Sequence, residues 1–147
     1  MKKALLLITS LAFSAAACGQ NIRTADVPSL VMNTFQTTFD KAVDIEWEKH
    51  KNLYVVDFEM GTTDYEVKID AAGKIVMQKQ DISVLELPKA ISEAISSKFG
   101  KYQIDDADKL EKDGQTYYQV ELDKGLTEKK VVFTDSGQVT KAIAYWN

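Results

Sequence analysis

Two stretches of this chain carry one pattern at an offset of 60: "VPSLVMNTFQTTFD" at 27–40 and "LPKAISEAISSKFG" at 87–100. Pro28 aligns with Pro88, Val31 with Ile91, Phe35 with Ile95 and Phe39 with Phe99. Proline is tolerated in the first turn of a helix, where its missing N–H has no partner to lose. The apolar residues then recur every four positions, the stripe of an amphipathic helix, and Gly100 closes the second one.

After each helix the apolar period falls to two. "VDIEWE" sets Val43, Ile45 and Trp47 against Asp44, Glu46 and Glu48, and "YVVDFEM" sets Tyr54, Val56, Phe58 and Met60 on one face. "YEVKI" adds Tyr65, Val67 and Ile69, and "IVM" continues after the turn "DAAGK". The second half repeats this with Tyr118, Val120 and Leu122, then Val131 and Phe133, then "VTKAIAYW" after the turn "TDSGQ". Such alternation predicts antiparallel strands with one face buried.

The strands align at an offset of 64: Tyr54 with Tyr118, Phe58 with Leu122, Gly61 with Gly125, Val67 with Val131, Gly73 with Gly137 and Ile75 with Val139. Glycines matched in matched turns reflect a shared backbone requirement rather than a shared composition. The change of offset places a four-residue insertion within 101–116, the acidic stretch. The chain therefore reads as one module written twice, residues 27–82 and 83–147, each a helix followed by about four strands. One helix cannot cover a four-stranded sheet alone, so the two copies together predict an α+β domain. Its expected form is one antiparallel sheet of about eight strands, with both helices on one face. Segment 83–88, "SVLELP", is a connector within that domain.

Ahead of the repeat, residues 1–17 follow the plan of a secretory signal: Lys2 and Lys3, an apolar run from Ala4 to Phe13, then small residues. The run is too short for a comfortable membrane span. Residues 18–26 form a polar tether. Removing the signal takes Lys2 and Lys3 with it and moves the formal net charge from −4 to −6. An acidic chain without clustered Lys and Arg has no footprint for nucleic acid. Cys18 is the only cysteine, so an exported form has no internal disulfide. "AAAC" resembles a bacterial lipobox with Ala15 where leucine is preferred, so Cys18 is either acylated or lies beside an ordinary Ala-x-Ala cleavage site. The mass of the mature N-terminus separates the two.

An exported chain with tandem α-β-β-β-β copies, Val/Leu-Pro openings, "YxVxxxxG" strands and "DxxG" turns resembles the PepSY-like proteins. These are related in fold to β-lactamase inhibitory protein and are common in Bacteroidetes. The resemblance spans 26–147 and implies the fold; its motifs include no catalytic signature. Regulation of a peptidase or another envelope enzyme is what the family name implies. The disulfides of the inhibitory protein have no counterpart here.

Chemistry-bearing motifs are scarce. His50, the sole histidine, sits in the hairpin-like "EKHKN", and a zinc site needs three or four ligands. One histidine and a cysteine at the processed terminus leave no nucleophile–base pair. The seven glycines are dispersed, so there is no phosphate loop, and no cofactor is expected. In "DDADKLEKDG" Glu111 and Lys109 break the alternation of a calcium loop, and a solvated strand edge with the hairpin "KDGQ" is the expected form. Asp44, Glu46 and Glu48 are expected to stand in water.

The sheet face away from the helices draws more interest. Its residues are those out of phase with the core set: Leu53 and Val55, Val76, Tyr117 and Gln119, Lys130 and Val132, then Ala142, Ala144 and Trp146. Tyr117, Val132 and Trp146 interrupt what a solvent face would otherwise carry. Aromatic side chains on a rigid sheet offer large contact area at small entropic cost. Leu53, Val55, Tyr117, Val132 and Trp146 are accordingly the candidate binding residues for a protein or peptide partner in the envelope. On an open surface, Tyr117→Ala and Trp146→Ala leave the melting temperature nearly unchanged. A structural or assembly lipoprotein of the envelope, anchored through Cys18, is the alternative. A carrier of a small apolar ligand is a third reading, with no convergent polar groups to recommend it.

Overall fold

The computed structural model describes residues 19–147; the signal segment and Cys18 lie outside the described residues. The elements run β1 (Gln20–Asn21), α1 (Ser29–Thr38), β2 (Val43–His50), β3 (Leu53–Met60), β4 (Thr63–Asp70), β5 (Ile75–Asp81), α2 (Lys89–Phe99), β6 (Gln103–Lys112), β7 (Gln115–Lys124) and β8 (Thr127–Thr134). The strands form a single eight-stranded sheet in the order of the chain, with every neighbouring pair antiparallel. Pairing of β5 with β6 joins the two copies into one sheet.

Each helix covers its own half. Val31, Phe35 and Phe39 of the first copy pack with Trp47, Tyr54, Val56, Phe58, Val67 and Ile69. Ile91 and Ile95 of the second pack with Ala107, Val120, Leu122, Val131 and Phe133. The Phe35 ring meets Trp47 and Phe58 edge-on, at centroid distances of 5.2 and 5.1 Å, a favoured arrangement for aromatic quadrupoles. Both copies enter their helix through a short 3₁₀ turn, Thr24–Asp26 and Val84–Glu86. In the second turn Ser83 and Glu86 form a reciprocal capping box.

The matched glycines have a matched reason. Gly73 and Gly137 turn with φ of 83° and 81°, a region open to glycine. Each also presses on the helix of its own copy. A Cβ on Gly73 would lie 2.9 Å from the carbonyl oxygen of Leu30, and one on Gly137 would lie 2.4 Å from that of Ala90. Leu30 and Ala90 are themselves partners at the helix offset of 60. The insertion resolves as cleanly. β6 and β7 have 10 residues where β2 and β3 have 8, so the extra four lengthen the hairpin tip, two in each strand. The acidic run lies in β6, a strand paired on both sides rather than the expected solvated edge, with Asp108 buried, and ends in the Asp113–Gly114 turn.

Three further sequence expectations change. Val43 and Ile45 were assigned to the core face, yet they are 52% and 41% exposed. A β-bulge between Val43 and Glu46, with Asp44 at a φ of 51°, breaks the alternation there. Met77 faces away from the helices while Ile75 packs toward them, because the register of β5 against β4 shifts between Lys68 and Ile69. The third change matters most. "VTKAIAYW" does not form the fourth strand of the second copy: it makes a single bridge, Val139 with Phe133, and one bond from the Thr140 N–H to the Val132 carbonyl. The eighth strand is instead β1, at the other edge, formed within residues 18–26 where a polar tether was expected. In the first copy this strand is β5, paired on both sides; in the second it would be an edge strand paired on one side only. The tail turns across the sheet instead.

Gly137→Ala is expected to lower stability by at least about 2 kcal/mol, combining left-handed strain with a backbone clash. Gly61→Ala, at a φ of 69° in open space, is expected to cost about 1 kcal/mol. Urea unfolding of the two variants checks the difference.

Candidate functional site

The face away from the helices has its own apolar cluster: Val55 (β3), Met77 (β5), Leu110 (β6) and Val132 (β8), closed over by Ile143 and Trp146 of the tail, with Tyr117 and Tyr145 packed beside them. For Val55, Tyr117 and Val132 the phase expected from the sequence holds; in β5 Met77 takes the place expected of Val76, in the tail Ile143 packs on this face while Ala142 and Ala144 are exposed, and the face is not open. Val55, Val132 and Trp146 are 2%, 5% and 6% exposed. Leu53 and Tyr117 are half-buried, and the Tyr117 hydroxyl bonds Gln115. Trp146 is no surface aromatic but the plug of a docked tail, buried against the apolar cluster.

Polar residues that sequence reasoning passed over hold the plug. Gln119, at the centre of β7 and 1% exposed, offers its amide to the backbone of Trp146. Its Nε2 donates to the Trp146 carbonyl at 2.8 Å, and its Oε1 accepts from the Trp146 N–H at 2.9 Å. The same Nε2 donates to Asp108 Oδ2 at 2.7 Å, which fixes the orientation of the amide. Burial pushes the Asp108 carboxyl up, and the Gln119 bond opposes it. The indole N–H of Trp146 donates to Glu66 Oε1 at 2.6 Å, and the other Glu66 oxygen pairs with Lys79 at 2.7 Å. Lys68 places its ammonium 3.5 Å from the Trp146 ring centroid, and Lys79 places its own 5.3 Å away, positions that suit cation–π attraction. Burial lowers the Lys68 pKa. Lys130, at the outer edge, reaches the Asn147 side chain at 2.9 Å.

Beside the plug runs a cleft of about 700 Å³ whose walls include Glu48, His50, Leu53, Asp57, Lys68 and Trp146. Asp57 is pushed up to about 6, first by desolvation and then by the charges of Glu66 and Glu48. His50 is the last residue of β2, and its Nε2 lies 2.7 Å from Glu48 Oε2. The cleft mixes apolar wall with carboxylates and an ammonium.

Elsewhere among the described residues, Glu121, Asp123 and Glu128 bring carboxylate oxygens within 4.8 Å of one another. Lys130 Nζ already lies 3.7 Å from Glu121 and 3.5 Å from Glu128, so the charge there is partly compensated.

One partner of the plug left a trace in the repeat. At the strand offset of 64, Gln119 stands where the first copy has Val55. An amide replacing valine is a departure from the repeat, but glutamine is ordinary on a solvated face, so it does not by itself point to the tail.

Comparison with known proteins places this geometry in context. The family model described as "Putative beta-lactamase-inhibitor-like, PepSY-like" matches twice, over residues 17–77 and 75–141. No curated protein matches the chain in sequence. Among solved structures, a DUF2874 family protein from Bacteroides uniformis is similar at 23% identity and a TM-score of 0.72, covering 78% of this chain and 86% of that one. A structure from Bacteroides eggerthii described as "putative periplasmic proteins" is similar at 22% identity and a TM-score of 0.73, over 78% and 86%. A BLIP-like protein from Bacteroides fragilis is similar at 24% identity and a TM-score of 0.67, over 77% and 83%. These likenesses establish the fold.

Two measurements test the site. Trp146→Ala is expected to cost about 2 kcal/mol, below the usual 3–5 for a buried tryptophan, because the tail can undock while the sheet stays folded. Phe133→Ala, in the helix-side core, is expected to cost about 4 kcal/mol. Asp57→Asn is expected to raise the melting temperature at pH 7.5. The raised pKa makes the ionised carboxylate a burden above about 6 that the protonated form lacks. The gain fades as pH falls through 6, and is absent near pH 3, where the carboxyl is protonated both folded and unfolded.

Proposed function

Because the chain belongs to the PepSY-like, beta-lactamase-inhibitor-like family, we propose that it is an exported module that acts by binding a protein or peptide partner rather than by catalysis. The observation that carries this reading is the sheet face away from the helices. It combines an apolar floor, a buried amide and a mixed-charge cleft on a rigid eight-stranded scaffold, and rigid presentation of such groups favours recognition. Leu53 and Tyr117 are the half-buried members at either side of the docked tail, available to a partner with the tail in place. Val55, Val132 and Trp146 lie beneath or within it and become contacts when it moves.

The partner is a protein or peptide of the envelope, an enzyme under inhibition or regulation being the form the family name supports. Export rests on residues 1–17, and the description of the Bacteroides eggerthii relative supports a periplasmic setting. Cys18 would hold the chain at the membrane through a lipid.

Capture from an envelope extract of the native host tests the site. Wild type is expected to retain a partner that the folded Leu53→Asp/Tyr117→Ala variant loses. Leu30→Asp, on the exposed outer surface of α1 (60% exposed), is expected to keep it. Retention by the sheet variant and loss by the helix variant would move the site to the opposite side of the molecule.

A further inference from the structure

We propose that the face holding residues 141–147 is a receptor for an extended peptide segment bearing a tryptophan, and that the chain's own tail occupies it in cis. This rests on the binding reading above and names its ligand.

The tail is held in an unusual way for a segment that buries two large apolar residues. Among the described residues, its backbone makes no backbone–backbone hydrogen bond after Thr140. Residues 141–147 are anchored by side-chain contacts: Ile143 and Trp146 in the apolar cluster, the Gln119 amide on the Trp146 backbone, Glu66 on the indole, and Lys130 on Asn147. A segment outside the strand ladders opens without disturbing them, which places it among the least stable parts of a fold.

The receiving groups state what fits. Gln119 donates one bond to and accepts one from a single residue, the C=O and N–H pair that a peptide backbone offers. With the tail gone, the Gln119 amide would lose both of its bonds to the Trp146 backbone, and a second peptide unit would restore them. The fold does not require this amide, since the first copy has Val55 at the equivalent place. Above it, Glu66 accepts an N–H from the ring, while Lys68 and Lys79 attract the ring face. That combination selects tryptophan over phenylalanine, which lacks the donor. The cleft along Asp57 and His50 continues beyond Trp146 and gives a longer peptide room to run on.

The same chemistry predicts competition between tail and ligand: apparent affinity falls by the fraction of time the tail is docked. The probe is a fluorescein-labelled, terminally blocked peptide of sequence TKAIAYWN, titrated by fluorescence anisotropy into the full-length chain. Trp146→Ala is expected to bind it at least tenfold more tightly than wild type. Adding Gln119→Leu is expected to weaken binding at least tenfold, and so is replacing the peptide's tryptophan by alanine. Ile143→Ser, which loosens the tail and keeps Trp146, serves as the second releasing variant. Equal affinity for wild type and both folded releasing variants, or no binding by any, would overturn the proposal. Unfolding of both variants would overturn it too, by showing that the tail is a core element. A wild-type dimer that Trp146→Ala renders monomeric would assign the face to the tail of a second copy, against the proposal. Failure here alongside success in the envelope capture would leave a partner on the face with the tail undisturbed, so the two readings fail separately.

Discussion

A β-sheet has two faces, and each copy of this module brings only one helix. That constraint organises the molecule. Side chains alternate along every strand, so whatever the helices bury on one side leaves a second set on the other. In β3, β6 and β8 that second set includes Val55, Leu110 and Val132, too apolar to face water together. The chain meets the difficulty with its last residues, where Ile143 and Trp146 lie over this floor. The second face is thus a core of its own, closed by a few residues outside the strand ladders.

The two copies diverge where this happens. Through the helices, the inner strands and the turns, the second copy repeats the first closely enough that Gly73 and Gly137 meet equivalent helix carbonyls. Besides substitutions within the cores, such as Ala107 for Trp47, the copies differ in the hairpin tip of β6 and β7, in Gln119 in place of Val55, and in the final segment, which is strand β5 in one copy and tail in the other. The second and third changes belong together. An extended segment lying across a sheet rather than beside it has no neighbouring strand for its N–H and C=O groups, and a glutamine amide supplies the missing partners for one residue.

Much of the architecture was legible in the sequence because it rests on local periodicity. The helix stripes of Val31, Phe35 and Phe39 and of Ile91 and Ile95 and the matched turns predict the antiparallel sheet and its two helix-side cores. The face assignment of Val55, Tyr117, Gln119 and Val132 was also readable, since it needs only the phase of each strand; Trp146 reaches the same face from a tail that forms no strand. Period alone cannot show a bulge, and Val43 and Ile45 were assigned wrongly for that reason. Nor can it show the fate of the tail. "VTKAIAYW" alternates well enough for a strand, and its departure depends on contacts between residues far apart in the chain, such as Trp146 with Glu66 and Lys68. The partners of the plug are charged or polar on a face expected to be solvated, so composition gave no reason to single them out.

In this account the second face is both a folding problem and a binding site: the groups that dock the tail are those that would dock a peptide. Native-state hydrogen exchange at the Trp146 amide tests this most directly, since that N–H is bonded to Gln119 alone. The account predicts that it exchanges through a local opening, at least about a hundredfold faster than the buried amides of β7 and with little dependence on low denaturant. Exchange at the same rate as β7, with the denaturant dependence of global unfolding, would contradict it and make the tail a permanent part of the core.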